Sequence, residues 1–321
     1  MVGATIHVVP TIKYRSKNML SKGKLKKDFH KNKYKYIMVI PVLIYLFLFC
    51  YKPMYGVIIA FQRYRPTLGI ARSPWVGLDN FVRFFKDVNF WRVVRNTFTI
   101  SFLSILFTFP APILLALLLN EVRVSWFKRL VQTVTYLPHF IAMVVVCGLV
   151  NRFCQSDGLI NDLIAFFGGE RSNLLIKTNM FYPIYILSDI WKEVGWNSII
   201  YLATLASIDQ EQYEAARIDG AGRIQQMWYI TLPGLLPTIS MLLILRLGNI
   251  LGVGQEKILL LYNEMTYEVA DVISTFVYRK GLSDADYSYS TAIGLFDSII
   301  NIVFLVGANK ISKKLGQSGL F

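Results

Sequence analysis

Six apolar runs set the terms on which this chain can fold. They cover residues 36–54, 97–119, 131–150, 182–205, 235–253 and 292–308, and crossing a bilayer takes about 20 apolar residues. Hydrocarbon offers no water to bond peptide groups, so a crossing segment must close its own hydrogen bonds as a helix. The expected fold class is therefore all-α, a polytopic membrane protein with six transmembrane helices. Composition agrees: 54% of the residues are apolar and 17% charged, where soluble proteins average about 25% charged. The first run lacks a small-residue cleavage site and is too long for a signal-peptide core, so it reads as a retained span.

The formal net charge of +14 is concentrated near the N-terminus, where Lys and Arg crowd residues 13–35. A basic segment directly before a first span places that end in the cytoplasm and offers charge to anionic membrane lipid. No nucleic-acid-binding signature accompanies it, so no nucleic-acid partner is expected. An even number of spans returns the C-terminus to the cytoplasm, in keeping with Lys310, Lys313 and Lys314, and with Arg123, Lys128 and Arg129 in the short second connection. The organisation expected is a basic tail over 1–35, a membrane domain over 36–310 and a cytoplasmic tail over 311–321. The first outer segment opposes the charge rule, with Arg63, Arg65, Arg72, Arg83, Lys86, Arg92 and Arg95. Within it, Leu78, Phe81, Val82 and Phe85 lie opposite Asp79, Arg83 and Lys86, the pattern of a short helix lying flat on the outer interface. A second outer segment, from Gln255 to Asp286, is rich in charge and reads either as a solvated loop, helical over 272–278, or as a docking surface.

Between the fourth and fifth runs, residues 206–234 hold no membrane-grade apolar stretch. Asp209 is placed to cap a helix, on which Tyr213, Ala216 and Arg217 share a face. Gly220 and Gly222 allow a sharp turn. A second short helix is expected over 223–229, and Pro233 and Pro237 then mark the entry to the next span. Small Ala215 and Ala216 let another backbone approach, and Glu214 offers a carboxylate to a basic groove.

The order Glu214-Ala215-Ala216, Gly220, Ile230-Thr231-Leu232-Pro233 resembles the EAA loop of ABC importer permeases. Gly56-Val57-Ile58-Ile59-Ala60-Phe61, Phe109-Pro110-Ala111-Pro112, Leu137-Pro138-His139-Phe140-Ile141 and Glu256-Lys257-Ile258-Leu259-Leu260-Leu261-Tyr262-Asn263 extend the resemblance to the LplB-type branch of polysaccharide and oligosaccharide permeases, in the maltose-permease-like superfamily. It runs from about Lys35 to Phe321. The resemblance implies a type I importer core (methionine-permease-like) in the plasma membrane, forming half of a heterodimeric pore with a second permease subunit. It implies a cytoplasmic ABC ATPase dimer, carrying ATP and Mg2+, that grips Glu214, Ala215, Ala216, Gly220, Ile230, Leu232 and Pro233. It also implies an extracellular sugar-binding protein that delivers a carbohydrate.

Polar residues within spans are costly and mark cavities or partner helices. Trp191, Glu193 and Asn197 in the fourth run, Arg246 and Asn249 in the fifth and Asp297 in the sixth are the candidates for a sugar pathway. Structural pairing is the alternative: Asp189, Lys192 and Glu193 with one another at the outer rim, and Arg246 with Asp297. The sequence has no GxxxxGK[ST] phosphate loop and no spaced catalytic triad. Cys50, Cys147 and Cys154 show no metal or CxxC spacing. Neither a catalytic role, a metal nor a cofactor of its own is expected. An ion-coupled carrier is the competing class, and it would show internal repeats with broken helices.

Overall fold

The computed structural model describes residues 22–314 and 316. The first 21 residues of the expected basic tail, and residue 315 and residues 317–321 of the expected C-terminal tail, lie outside the described part. The chain divides into one unit ending at Gly56 and another beginning at Val57. The first carries helix Lys22–Tyr45, which kinks at Asn32 between its lysine-rich and apolar parts. The regular structure of the second is helical apart from one β-bridge among the described residues, between Gln62 and Trp75.

Five helical stretches are long and apolar enough to cross a membrane: Lys31–Phe61, Phe90–Glu121, Met143–Phe166, Arg223–Leu247 and Tyr287–Lys314. Helix Thr178–Ala206, at 29 residues, is about 43 Å long and coincides with the fourth apolar run. Asp189, Lys192 and Glu193 in its centre set it apart by composition.

Proline explains the π turns in these helices. A proline lacks the N–H that would bond the carbonyl four residues back, and its ring pushes that carbonyl aside. Ahead of Pro53, Pro110 and Pro233 the chain widens by one residue. The preceding N–H groups, of Lys52, Phe109 and Leu232, donate to carbonyls five residues back, on Phe47, Ser104 and Met227. These π turns keep the backbone bonded through the helix. Pro237 sits inside the helix that follows. Consequently Arg223–Leu247 is one helix, not the separate short helix over 223–229 plus a span that the sequence suggests.

The third run is likewise not a single helix. Ser125–Tyr136 gives way to a 3-10 turn at Leu137–Phe140, Ile141 and Ala142 are extended, and helix resumes at Met143–Cys154. Lys192 Nζ donates to the freed His139 carbonyl at 2.8 Å. Helix Thr178–Ala206 can lie this close because residue 195 is glycine: a Cβ there would overlap the Thr135 carbonyl.

Three of the four apolar clusters among the described residues hold the elements around the site. Ile100, Cys147, Phe181, Tyr185 and Ile258 form one apolar cluster. Phe84, Phe90, Val93, Ile273, Phe276 and Tyr289 form a second, rich in edge-on aromatic pairs. Ala116, Tyr201, Leu205 and Leu235 form a third, next to residues 206–234. The expected short helix forms at Asp79–Lys86, with Leu78, Val82 and Phe85 exposed along one stripe. Its anchor is Phe84, which is fully buried, together with Asn80, whose amide donates to the Ala60 and Gln62 carbonyls.

The segment from Gln255 to Asp286 is neither a loop nor wholly solvated. It folds into helices Gln255–Leu261 and Ile273–Tyr278, and Ala270, Asp271, Val272 and Ile273 are fully buried. Asp271 Oδ2 lies 3.1 Å from Arg92 and 2.7 Å from Arg279, and Thr275 donates to its other oxygen. Arg95 pairs with Glu268 and Arg83 with Asp286. The acids of this segment thus meet three of the seven basic residues that ran against the charge rule.

Removing one member of a buried ion cluster strands the rest and costs about 3–5 kcal/mol, whereas an exposed pair is worth about 0–1 kcal/mol. Asp271→Asn is therefore expected to lower the thermal midpoint strongly, and Asp286→Asn little. Tryptophan fluorescence of the protein in detergent during heating reads both.

Candidate functional site

Two regions gather the polar residues singled out in the sequence. The first is the connection 206–234. Asp209 caps helix Gln210–Ile218 by accepting the Glu211 N–H at 3.0 Å. The helix ends in a paired closure: the Ala221 N–H reaches the Ala216 carbonyl at 2.8 Å and the Gly220 N–H the Arg217 carbonyl at 3.1 Å. That closure needs a left-handed residue at its turn, and Gly220 has φ +79°. Gly222, at φ −67°, needs no such freedom.

This short helix is tied down through its N-terminal half. The Tyr213 hydroxyl is 3.0 Å from Thr231 Oγ1, inside helix Arg223–Leu247. Ile208 packs into the third apolar cluster against Leu205 and Leu235, where Gly234 leaves it room. Glu214 and Ala215 are exposed and Ala216 is half-buried. Ile230 and Leu232 are half-buried and Pro233 is exposed, all on the long helix. Ile218, Ile224, Trp228 and Tyr229 leave a large apolar surface around the loop.

The second region is a cavity of about 470 Å³, walled by Phe90–Glu121, Thr178–Ala206, Arg223–Leu247 and the turn after it. Helix Thr178–Ala206 presents Tyr185, Asp189, Glu193, Asn197 and Tyr201 to it, a stripe at four-residue spacing. Arg246 and Asn249 face the same space. Four of the six expected pathway residues, Glu193, Asn197, Arg246 and Asn249, therefore converge.

Trp191 and Asp297 do not line the cavity. Trp191 precedes Glu193 by two positions, about 200° around a helix, and is exposed on another face. Asp297 is half-buried and accepts from Asn301 at 3.2 Å, while Asn301 accepts the Leu251 N–H. The pair ties the last helix to the turn after Leu247. No Arg246–Asp297 bridge forms.

Nor do the fourth-run charges pair only among themselves. Asp189 is 3.2 Å from Lys257, which also donates to the Tyr185 carbonyl and lies over the Tyr185 ring. Glu193 lies 2.8 Å from His139 and 3.3 Å from Lys192. The His139 ring stacks on Trp196, with centroids 4.4 Å apart. The sequence reading placed Lys257 in the charge-rich outer segment, not beside the cavity. Its signal is a lone lysine directly before the apolar stretch Ile258-Leu259-Leu260-Leu261.

The family described as the binding-protein-dependent transport system inner membrane component matches residues 108–317. The chain belongs to this family. The permease is 48% identical to the polygalacturonan/rhamnogalacturonan transport system permease protein YteP of Bacillus subtilis (strain 168), over 91% of each chain. It is also 48% identical to the protein LplB of the same organism, over 91% of this chain and 92% of that one. A solved bacterial ABC transporter involved in the import of the acidic polysaccharide alginate contains a chain 45% identical to the permease. The match has a TM-score of 0.86 and covers 92% of this chain and all of that one. The same transporter is known in complex with an alginate pentasaccharide-bound periplasmic protein, with the same identity and TM-score.

Left-handed geometry costs a residue with a Cβ about 1–2 kcal/mol, and the space around Gly220 is otherwise open. Gly220→Ala is expected to loosen the helix end without disturbing packing. Hydrogen exchange should show faster exchange of the Ala221 amide and unchanged rates at Leu235.

Proposed function

We propose that this chain is the transmembrane permease subunit of an ATP-driven ABC importer for a carbohydrate, an oligosaccharide in particular. It forms half of a heterodimeric pore with a second permease in the cell membrane. The observation that carries this reading is the whole-chain likeness to the alginate transporter, at 45% identity and a TM-score of 0.86. On this reading both termini are cytoplasmic, all six runs cross the membrane, and an external sugar-binding protein delivers the cargo. ATP, with Mg2+, is hydrolysed by a separate cytoplasmic ATPase dimer.

The loop supports a coupling role. Glu214, Ala215 and Ala216 offer the ATPase a small, acid-bearing surface, and Gly220 closes the helix that carries them. Tyr213–Thr231 and the packing of Ile208 join that helix to Thr178–Ala206 and Arg223–Leu247, two walls of the cavity. Ile230, Leu232 and Pro233 lie on the second of these. A force on the loop therefore reaches the cargo space through bonded and packed atoms, and alternating access follows when ATP draws the two loops of the pore together.

Coupling free energies of this kind correspond to about 5–150-fold effects. Glu214→Lys and Gly220→Arg are expected to lower ATP-dependent sugar import in proteoliposomes by an amount in that range. ATP hydrolysis by the same complexes should lose its response to the loaded binding protein. Variant complexes that import and hydrolyse as the unaltered one does would remove the loop from the coupling path.

A further inference from the structure

The cavity has an unbalanced charge. Its two carboxylates are already matched, Asp189 by Lys257 and Glu193 by Lys192 and His139. Arg246 is not: among the described residues no carboxylate lies within 4.0 Å of it and no hydrogen bond reaches its side chain. The side-chain amides of Asn197 and Asn249, on the same cavity, also have no partner among the described residues. Thr108, 9% exposed and lining the space, has a buried hydroxyl with no hydrogen-bond partner.

A guanidinium at the membrane interior is costly unless something answers it. Its planar fork matches a carboxylate with two parallel bonds, and two amides and a hydroxyl suit the hydroxyl groups of a sugar. We propose that Arg246 is the specificity-determining residue of the cavity and selects a saccharide bearing carboxylates, a uronate oligomer, over a neutral one. Arg246 binds the uronate carboxylate, Asn197, Asn249 and Thr108 bind ring hydroxyls, and Tyr185 and Tyr201 supply apolar faces. The matched pairs keep Asp189 and Glu193 from repelling the anion. This rests on the permease reading and adds the charge class of its cargo.

The test compares trigalacturonate with its fully methyl-esterified, neutral counterpart, imported by the complete complex in proteoliposomes. Complexes with Arg246, Arg246→Gln and Arg246→Lys share one binding protein, so a change in the charged-to-neutral ratio belongs to residue 246. Charge-assisted bonds to a carboxylate are roughly twice as strong as neutral ones, so the unaltered complex should favour the charged oligomer by about tenfold or more. Arg246→Gln should bring the ratio close to unity, and Arg246→Lys, which keeps the cation and serves as the folding control, should retain part of it. An unchanged ratio in Arg246→Gln would overturn the proposal and point to a carboxylate of the second permease as the partner of Arg246. ATP-dependent import that favours the neutral ester would overturn it too, while leaving the permease reading intact. If neither oligomer enters while a neutral oligosaccharide does in an ATP-dependent manner, the proposal falls and the permease reading stands; if no saccharide enters, both fall.

Discussion

A backbone in hydrocarbon must satisfy its hydrogen bonds from within the protein, and much of this structure follows from how it does so around proline. At Pro53, Pro110 and Pro233 the helix widens by one residue and keeps its N–H groups bonded. At Pro138 it breaks, and Lys192 arrives from the neighbouring helix to bond the His139 carbonyl. Lys257 does the same for the Tyr185 carbonyl, and Ser101 for that of Ile250. Several intramembrane polar side chains are thus committed to the main chain. Arg246, Asn197, Asn249 and the Thr108 hydroxyl are not so committed, and they share one cavity.

Specific polar bonds also tie residues 206–234 to the walls of the cavity. The helix that carries Glu214 is short and would be marginal alone. Its capping by Asp209, its closure at Gly220 and the Tyr213–Thr231 bond make it an extension of the long helices. At the other end, Asp271 between Arg92 and Arg279 locks Gln255–Asp286 onto Phe90–Glu121. Both ends of the cavity walls are therefore held by specific polar bonds, with apolar packing between them.

What the sequence made legible was local. The apolar runs, the Asp209 cap, the left-handed Gly220 and the helix near Val272 all depend on neighbours a few residues away. The placement of Glu193 and Asn197 on one helical face followed from spacing alone, and the same spacing puts Trp191 on another face than theirs. What stayed hidden was non-local. Nothing near Asp271 in the chain announces that Arg92 will bury it, and a charge-rich stretch reads as solvated until its partners are known. The proline at position 233 signalled a helix entry, yet a π turn let the helix run through it. Thr231 looked like filler within Ile-Thr-Leu-Pro, although its hydroxyl is the far end of the Tyr213 bond.

The central claim is that the uncommitted polar residues face water along one stripe of Thr178–Ala206 and the end of Arg223–Leu247. The most direct measurement is the reaction of single cysteines with a charged, membrane-impermeant methanethiosulfonate, on the solubilised complex with Cys50, Cys147 and Cys154 replaced by serine. The reagent needs the thiolate, which forms in water and not in hydrocarbon. Asn197→Cys and Arg246→Cys should react readily, while Leu187→Cys and Trp191→Cys, on other faces of the same structure, should resist. Equal reactivity at all positions, or a reversed order, would contradict the account.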